Sequence, residues 1–235
     1  MFKLLALLVL SIGFAFFSRM PEEELCAEPI LYNIGGFDRR FDISQKQFLR
    51  VLGEAEDIWE KPLGKELFSY SPQEGDLKVN LIYDYRQQTT EELNQLEREV
   101  SRGEAAYGVL EQRYLNLRND PDASIAEINA LVDQLNVLAK KHNLSVEEYN
   151  ILGASRGETF AGGLYVSDES GETISIYEFE NYEKLMRVLA HELGHVLGLE
   201  HVEDKEAIMY ELNRGEAGRA SPSDLFALKT LCQII

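Results

Sequence analysis

The stretch from His191 to His201, with the sequence HELGHVLGLEH, constrains this chain more than any other feature. On an α-helix, positions four apart differ by roughly 40° around the axis, so His191 and His195 project from one face and can share a metal ion. If the helix continued, His201 would lie about 9 Å beyond His195 and roughly 240° around the axis, too far to reach that ion. Glycine adopts left-handed backbone conformations without steric cost, so we predict that the helix ends near Gly198 and that the chain brings His201 back as a third ligand.

This spacing predicts a catalytic zinc site rather than a structural one. Three neutral imidazoles leave the fourth tetrahedral position of Zn²⁺ open for water. Zinc lowers the pKa of that water to about 7 and polarises a carbonyl group, and Glu192, next to the first ligand, is placed to take the proton. These roles describe amide hydrolysis. The alternative is an amphipathic helix with incidental histidines, but Glu192, Gly198 and His201 occurring together argue against it.

The same stretch resembles the zinc-binding motif of the metzincin endopeptidases. Downstream, Ala207-Ile208-Met209-Tyr210 is similar to their Met-turn, in which a methionine lies beneath the metal, and the short connection from His201 resembles the matrixin branch. The resemblance implies an α+β metzincin fold with a mixed open sheet, a backing helix, an active-site helix and a C-terminal helix. It also implies a zinc-dependent endopeptidase acting on proteins or peptides, with Glu192 as general base and three metal ligands, His191, His195 and His201.

The charge of the chain argues against several classes of partner. Its 235 residues include 41 acidic and 23 basic side chains, a net charge of −18, which opposes binding to nucleic acid or to anionic lipid. Asp168, Glu169 and Glu172 form an acidic turn in a region where related enzymes bind calcium. Because no complete calcium-ligand loop is present, we interpret it as a solvated turn.

The N-terminus predicts export. Lys3 is followed by an apolar run from Leu4 to Phe17, which fits the central region of a signal peptide and is shorter than the ~20 residues that span a bilayer comfortably. We assign residues 1–27 to a signal peptide or N-terminal anchor and residues 28–235 to the peptidase domain. The expected location is secreted, periplasmic or membrane-anchored facing outward. No good cleavage site follows Phe17 directly, and the acceptable site at Leu25-Cys26-Ala27 is distant from the apolar run. The N-terminal segment could therefore stay uncleaved, and we expect membrane attachment only through such an anchor.

Two cysteines, Cys26 and Cys232, lie near opposite ends of the chain. Matrixin-like folds bring the first strand and the last helix close together, which is compatible with a disulfide between them in an oxidising compartment. Cleavage after Ala27 would instead remove Cys26 and leave Cys232 unpaired. A cysteine that binds the zinc in a latent form is a third interpretation, although the surrounding residues do not match the matrixin pro-segment motif.

The remaining elements follow from periodicity and turn signals. Ser44 predicts the start of a helix that runs to about Trp59 and is ended by Pro62 and Gly64. Asn181 predicts the start of the active-site helix. The Gly35-Gly36 pair predicts a turn after the first strand. The predicted strands are 29–34, 67–70, 77–83, 162–166 and 173–177, and the predicted final helix spans 221–232.

Between the third and fourth strands the pattern changes to that of a coiled coil. Apolar residues from Glu91 to Arg118 alternate spacings of three and four, with Gly103 as a weak member, and a second helical run follows the break at 119–122. We predict an inserted antiparallel helical hairpin at about 86–152. It is either a stabilising appendage or an arm that binds a partner, a substrate or a second subunit. The alternative to an enzyme is therefore a catalytically weak metal-binding scaffold that acts through this arm.

Overall fold

The computed structural model describes residues 26–156, 162–212 and 218–234. The predicted signal peptide or anchor lies outside these ranges, apart from Cys26 and Ala27. None of the helices in the described ranges is both long enough and apolar enough to cross a membrane. The elements are β1 (Ile30–Phe37), a short 3₁₀ turn (Arg39–Phe41), α1 (Gln45–Leu63), β2 (Phe68–Tyr70), β3 (Leu77–Leu81), α2 (Tyr85–Arg118), α3 (Ile125–Arg156), β4 (Gly163–Asp168), β5 (Gly171–Ile176), α4 (Tyr182–Val196) and α5 (Pro222–Leu231).

The strands form a single five-stranded mixed sheet in the order β2-β1-β3-β5-β4. Four strands are parallel, and β4 runs antiparallel to β5, with Gly163 opposite Ile176. The predicted α+β fold with an open mixed sheet is thereby confirmed. Among the described residues β4 pairs with β5 alone, so its other side carries backbone donors and acceptors that an extended chain can use.

Helix α1 backs the sheet and packs against α4. Its start is confirmed: Ser44 and Gln47 form a reciprocal capping box, in which the Gln47 N–H donates to Ser44 Oγ at 3.2 Å. The helix extends beyond Trp59 to Leu63, with Pro62 inside its last turn, and the predicted stop at Gly64 is confirmed. Gly64, with φ +64°, ends it. The buried face consists of Phe48, Val51, Leu52, Ala55, Ile58 and Trp59.

The Gly35-Gly36 pair is not a turn, contrary to the sequence prediction. Both glycines lie inside β1, where the pairing with β3 shifts register between Ile34 and Phe37. The Gly36 N–H donates to Asn80 Oδ1 at 2.8 Å, and a Cβ at Gly35 would lie 2.4 Å from the same oxygen. The glycines therefore accommodate a bulge against the Asn80 side chain.

Helices α2 and α3 form the predicted hairpin, hereafter called the arm. The two helices pack through an apolar seam, in which Leu93, Leu131 and Leu135 are buried. A Cβ at Gly103 would lie 2.9 Å from His142 Nδ1, so glycine at this position lets the imidazole of α3 approach α2. His142 thus belongs to the seam and lies outside the group of histidines described below.

Buried polar contacts fasten the base of the arm to the sheet side of the molecule. Thr90 Oγ1 donates to Glu178 Oε1 at 2.9 Å, and the Phe179 N–H donates to Gln87 Oε1 at 3.0 Å. Thr90, Gln87 and Glu178 are all buried. Because a buried hydrogen bond is costly to lose, these contacts fix how the arm leaves the body.

The two cysteines form a disulfide, Cys26–Cys232, with the Cα atoms 5.6 Å apart. Of the three interpretations left open by the sequence, the structure supports this one. The bridge ties the residue before β1 to the end of α5. Processing of the N-terminus that preserves the bridge has to cut before Cys26.

Candidate metal centre and active site

Helix α4 carries the first two histidines and ends where the sequence predicts. Asn181 caps its start by accepting from the Lys184 N–H at 2.9 Å. The helix stops at Val196, and Gly198 takes φ +92°, so its N–H reaches the His195 carbonyl oxygen at 2.9 Å. This reversal returns His201 toward the helix, which is the geometry that the spacing of the motif predicts.

The three imidazoles converge on one point. His191 Nε2 lies 3.2 Å from His195 Nε2 and 3.3 Å from His201 Nε2, and the ligand atoms of all three lie within 4.8 Å of one another. Tetrahedral Zn²⁺ with bonds of about 2.0–2.1 Å separates its nitrogen ligands by about 3.3 Å, so the set fits this ion. In the part of the chain that the structure describes, it is the one group of three or more His, Cys, Asp or Glu side chains that converges in this way. The acidic turn at 168–172 does not form such a group.

Backbone carbonyls orient the two helical imidazoles. His191 Nδ1 donates to the Ile208 carbonyl oxygen at 2.7 Å, and His195 Nδ1 donates to the Leu199 carbonyl oxygen at 2.9 Å. Because a carbonyl only accepts, the proton resides on Nδ1 and the Nε2 lone pair faces the metal position. Burial lowers the pKa of His191 to about 4 and also lowers the pKa of His195, which keeps both rings neutral at neutral pH.

The carboxylate of Glu192 is buried between α4 and β4. Burial raises the pKa of Glu192 to about 7, and a backbone hydrogen bond from Tyr165 acts in the opposite direction. A Cβ at Gly163 would lie 2.6 Å from Glu192 Oε1, so the edge strand approaches the carboxylate as closely as glycine permits. A carboxyl group with this pKa exchanges a proton readily near neutral pH.

Met209 occupies the expected place beneath the histidines. It is fully buried, and a Cβ at Gly194, between the two helical ligands, would lie 2.3 Å from Met209 Sδ. The indole of Trp59 closes the same region, with Nε1 donating to the Ala190 carbonyl oxygen at 2.8 Å. Helix α4 is therefore held on its inner side by α1 and by the turn that contains Met209.

Two buried charged residues fix the backbone of that turn, and the sequence did not predict these roles. Asp224, fully buried in the first turn of α5, accepts from the N–H groups of Ile208 at 2.8 Å and Met209 at 3.0 Å. The guanidinium of Arg187 donates to the Ala207 carbonyl oxygen. The sequence could have indicated the role of Arg187. This arginine lies one turn before His191, on the same helix face, within an otherwise apolar segment.

An Asp224→Asn variant tests this support. Asp224 also accepts from the Ser221 N–H at 2.8 Å, and an amide offers one acceptor oxygen where the carboxylate offers two. We expect the free energy of unfolding to fall by about 2–4 kcal/mol and zinc affinity to fall about 10–100-fold. Urea unfolding and competitive zinc titration measure the two effects. Asp76→Asn, at an exposed position before β3, is the control; equal losses in the two variants would contradict the assignment.

The comparisons with known proteins agree with this geometry. Residues 32–231 match the family model described as Matrixin, of the M10 peptidases. This match covers most of the chain and includes the three histidines, the turn with Met209 and the start of α5. A search of the curated proteins found no match. Matrixins are metallopeptidases that use a catalytic zinc ion, and their fold is the metzincin fold. The chain, with its mixed sheet and its convergent histidines, belongs to the matrixin family.

Proposed function

We propose that the protein is an exported zinc-dependent endopeptidase in which His191, His195 and His201 bind the metal and Glu192 is the general base. One observation carries this proposal: the imidazoles of His191, His195 and His201 converge within 4.8 Å of one another, and the helix that carries the first two also carries the buried side chain of Glu192. These three histidines would hold a zinc ion, which would supply the Lewis acid for the scissile carbonyl and for activation of water.

The residues of the chain supply the proton transfers and the orientation. Glu192 accepts the proton of the attacking water and delivers it to the leaving amine, a role that its raised pKa suits. The Ile208 and Leu199 carbonyls keep the lone pairs of the first two histidines directed at the metal position. Asp224, by fixing the turn around Ile208, is a positioning residue for His191.

The edge strand offers a place for the substrate backbone. An extended peptide can pair with the side of β4 that faces away from β5, next to the carboxylate of Glu192. Leu164 and Val166 are exposed on β4, whereas Gly163 is buried and Tyr165 is partly buried. Such backbone pairing suits a protein or peptide substrate in an extended conformation.

The disulfide supports the export part of the proposal. Structural disulfides persist in oxidising compartments and are rare in the cytosol. The Cys26–Cys232 bridge, together with the apolar run from Leu4 to Phe17, favours a site of action outside the cytoplasm.

Metal removal tests the proposed activity. We expect dialysis against a zinc chelator to abolish cleavage of a casein-like substrate, because the three imidazoles alone cannot polarise a carbonyl. Stoichiometric Zn²⁺ should restore the rate, and Ca²⁺ should not. Hydrolysis that persists after metal analysis shows no zinc would refute the proposal. A preparation that binds zinc but never hydrolyses protein would support the scaffold alternative.

A further inference from the structure

Helix α3 carries a second apolar stripe on a side that α2 does not cover. Val137, Leu144 and Ile151 recur every seventh residue and are 71%, 52% and 63% exposed. Seven residues of an α-helix drift by only about 20°, so the three side chains form a nearly straight line of about 21 Å along the helix. The seam residues Leu131 and Leu135, in contrast, are buried. More than half of each of the three side chains in the stripe therefore lies on the surface of the arm.

The charges that border this stripe are balanced and symmetric about Leu144. Lys140 and Lys141 precede Leu144, and Glu147 and Glu148 follow it, so these four residues sum to zero in a chain of net charge −18. Helical geometry places Lys140 and Glu147 along one flank of the stripe. Lys141 and Glu148 lie along the other flank. None of the four forms an ion pair with another residue in the ranges that the structure describes.

We propose that this stripe binds a second copy of the chain, with the two α3 helices antiparallel about a twofold axis at Leu144. Such an axis places Leu144 against its own copy and Val137 near Ile151 of the partner subunit. On one flank Lys140 meets Glu147 of the partner subunit, and on the other Lys141 meets Glu148 of the partner subunit.

The charge pattern selects this arrangement over others. In a parallel pairing Lys140 would face another lysine and Glu147 another glutamate, and like charges at close range oppose association. A pattern that complements itself when reversed favours a copy of the same chain over an unrelated partner. The stripe rotates slowly around the axis of α3, by about 20° every seven residues. Two such stripes stay in contact when the helices cross at about +20°, an angle at which long antiparallel helices commonly pack. Two peptidase domains would thereby be joined through their arms.

Charge reversal on the full chain tests the pairing. We expect the wild type to be a dimer by light scattering during gel filtration, and K140E/K141E and E147K/E148K each to raise the dimer Kd at least about 100-fold. An equimolar mixture of the two variants should form a heterodimer, because one then presents four acidic and the other four basic side chains along the stripe. R98E/R102E, two exposed positions on α2, is the control and should dimerise like the wild type.

Two results would overturn the proposal. The first is a wild-type chain that stays monomeric at about 100 μM, a concentration at which even weak specific interfaces are populated. The second is equal association of the wild type and both charge variants, which would indicate contact elsewhere, for example through the apolar run at residues 4–17.

Cysteine cross-linking tests the position of the axis. Both native cysteines are paired, so an introduced cysteine is the one free thiol of the chain. Under mild oxidation L144C should form a disulfide-linked dimer with itself. V137C and I151C should each form no disulfide-linked dimer alone and should cross-link when mixed. V109C, on exposed α2 surface, is the control. Cross-linking of V109C as fast as L144C would contradict the assigned axis.

Discussion

A Glu192→Gln variant is expected to bind zinc like the wild type and to lose about 10²–10⁴-fold in kcat/KM on a protein substrate. The amide has nearly the shape of the carboxylate but cannot accept the proton of the attacking water. Zinc binding should persist because the Ile208 and Leu199 carbonyls, not Glu192, orient the imidazoles of α4. Initial rates of peptide cleavage and the zinc content of the purified protein measure the two quantities.

Glu183→Gln provides the matched control for this variant. Glu183 lies in the first turn of the same helix and is exposed, so the same chemical change there should leave the rate within about twofold of the wild type. If Glu192→Gln kept more than about a tenth of the wild-type activity, another group would have to supply the base.

Removal of the disulfide is expected to cause the largest loss of stability. The bridge joins residues 206 positions apart, and in the chain-entropy model a loop of that length contributes about 5 kcal/mol by restricting the unfolded chain. We therefore expect a Cys26→Ser/Cys232→Ser double variant to unfold at a much lower urea concentration. This loss is a large part of the total free energy of unfolding, which is typically about 5–15 kcal/mol for a whole domain.

The same bridge has a local effect on the candidate site. Cys232 follows α5 directly, and α5 supplies Asp224 to the turn that contains Met209. The double variant should therefore also bind zinc more weakly. A reducing agent should lower the stability of the wild type to that of the variant and leave the variant unchanged. A loss below about 1 kcal/mol would show that the bridge contributes little to the free energy of unfolding.

The convergence of the three histidines could be predicted from sequence because its geometry is local. Two histidines one turn apart and a glycine that reverses the chain fix the convergence of the imidazoles within the stretch from His191 to His201. The helical hairpin could also be predicted from sequence, because its heptad spacing extends over many turns. The glycine in its seam looked like a weakness, but it proved to be the point where His142 approaches α2.

Other features of the fold and of the site could not be predicted, because they depend on contacts between distant parts of the chain. A Gly-Gly pair suits both a turn and a bulge, and the side chain that decides for the bulge, Asn80, is 44 residues away from Gly36. The partners of Asp224 and Arg187 are backbone groups 15 to 20 residues distant in the chain, in a turn whose path no local pattern specifies. The contacts at the base of the arm, such as Thr90 with Glu178, span 88 residues.

The central claim is that three imidazoles, from His191, His195 and His201, hold one zinc ion and leave one position for solvent. Zinc K-edge X-ray absorption on the purified full chain measures this coordination most directly. We predict one zinc per chain with three imidazole nitrogens at about 2.0–2.1 Å and one oxygen ligand, and two imidazoles in a His201→Ala variant. A fourth protein side chain in the coordination sphere, or an unchanged spectrum in the variant, would contradict it.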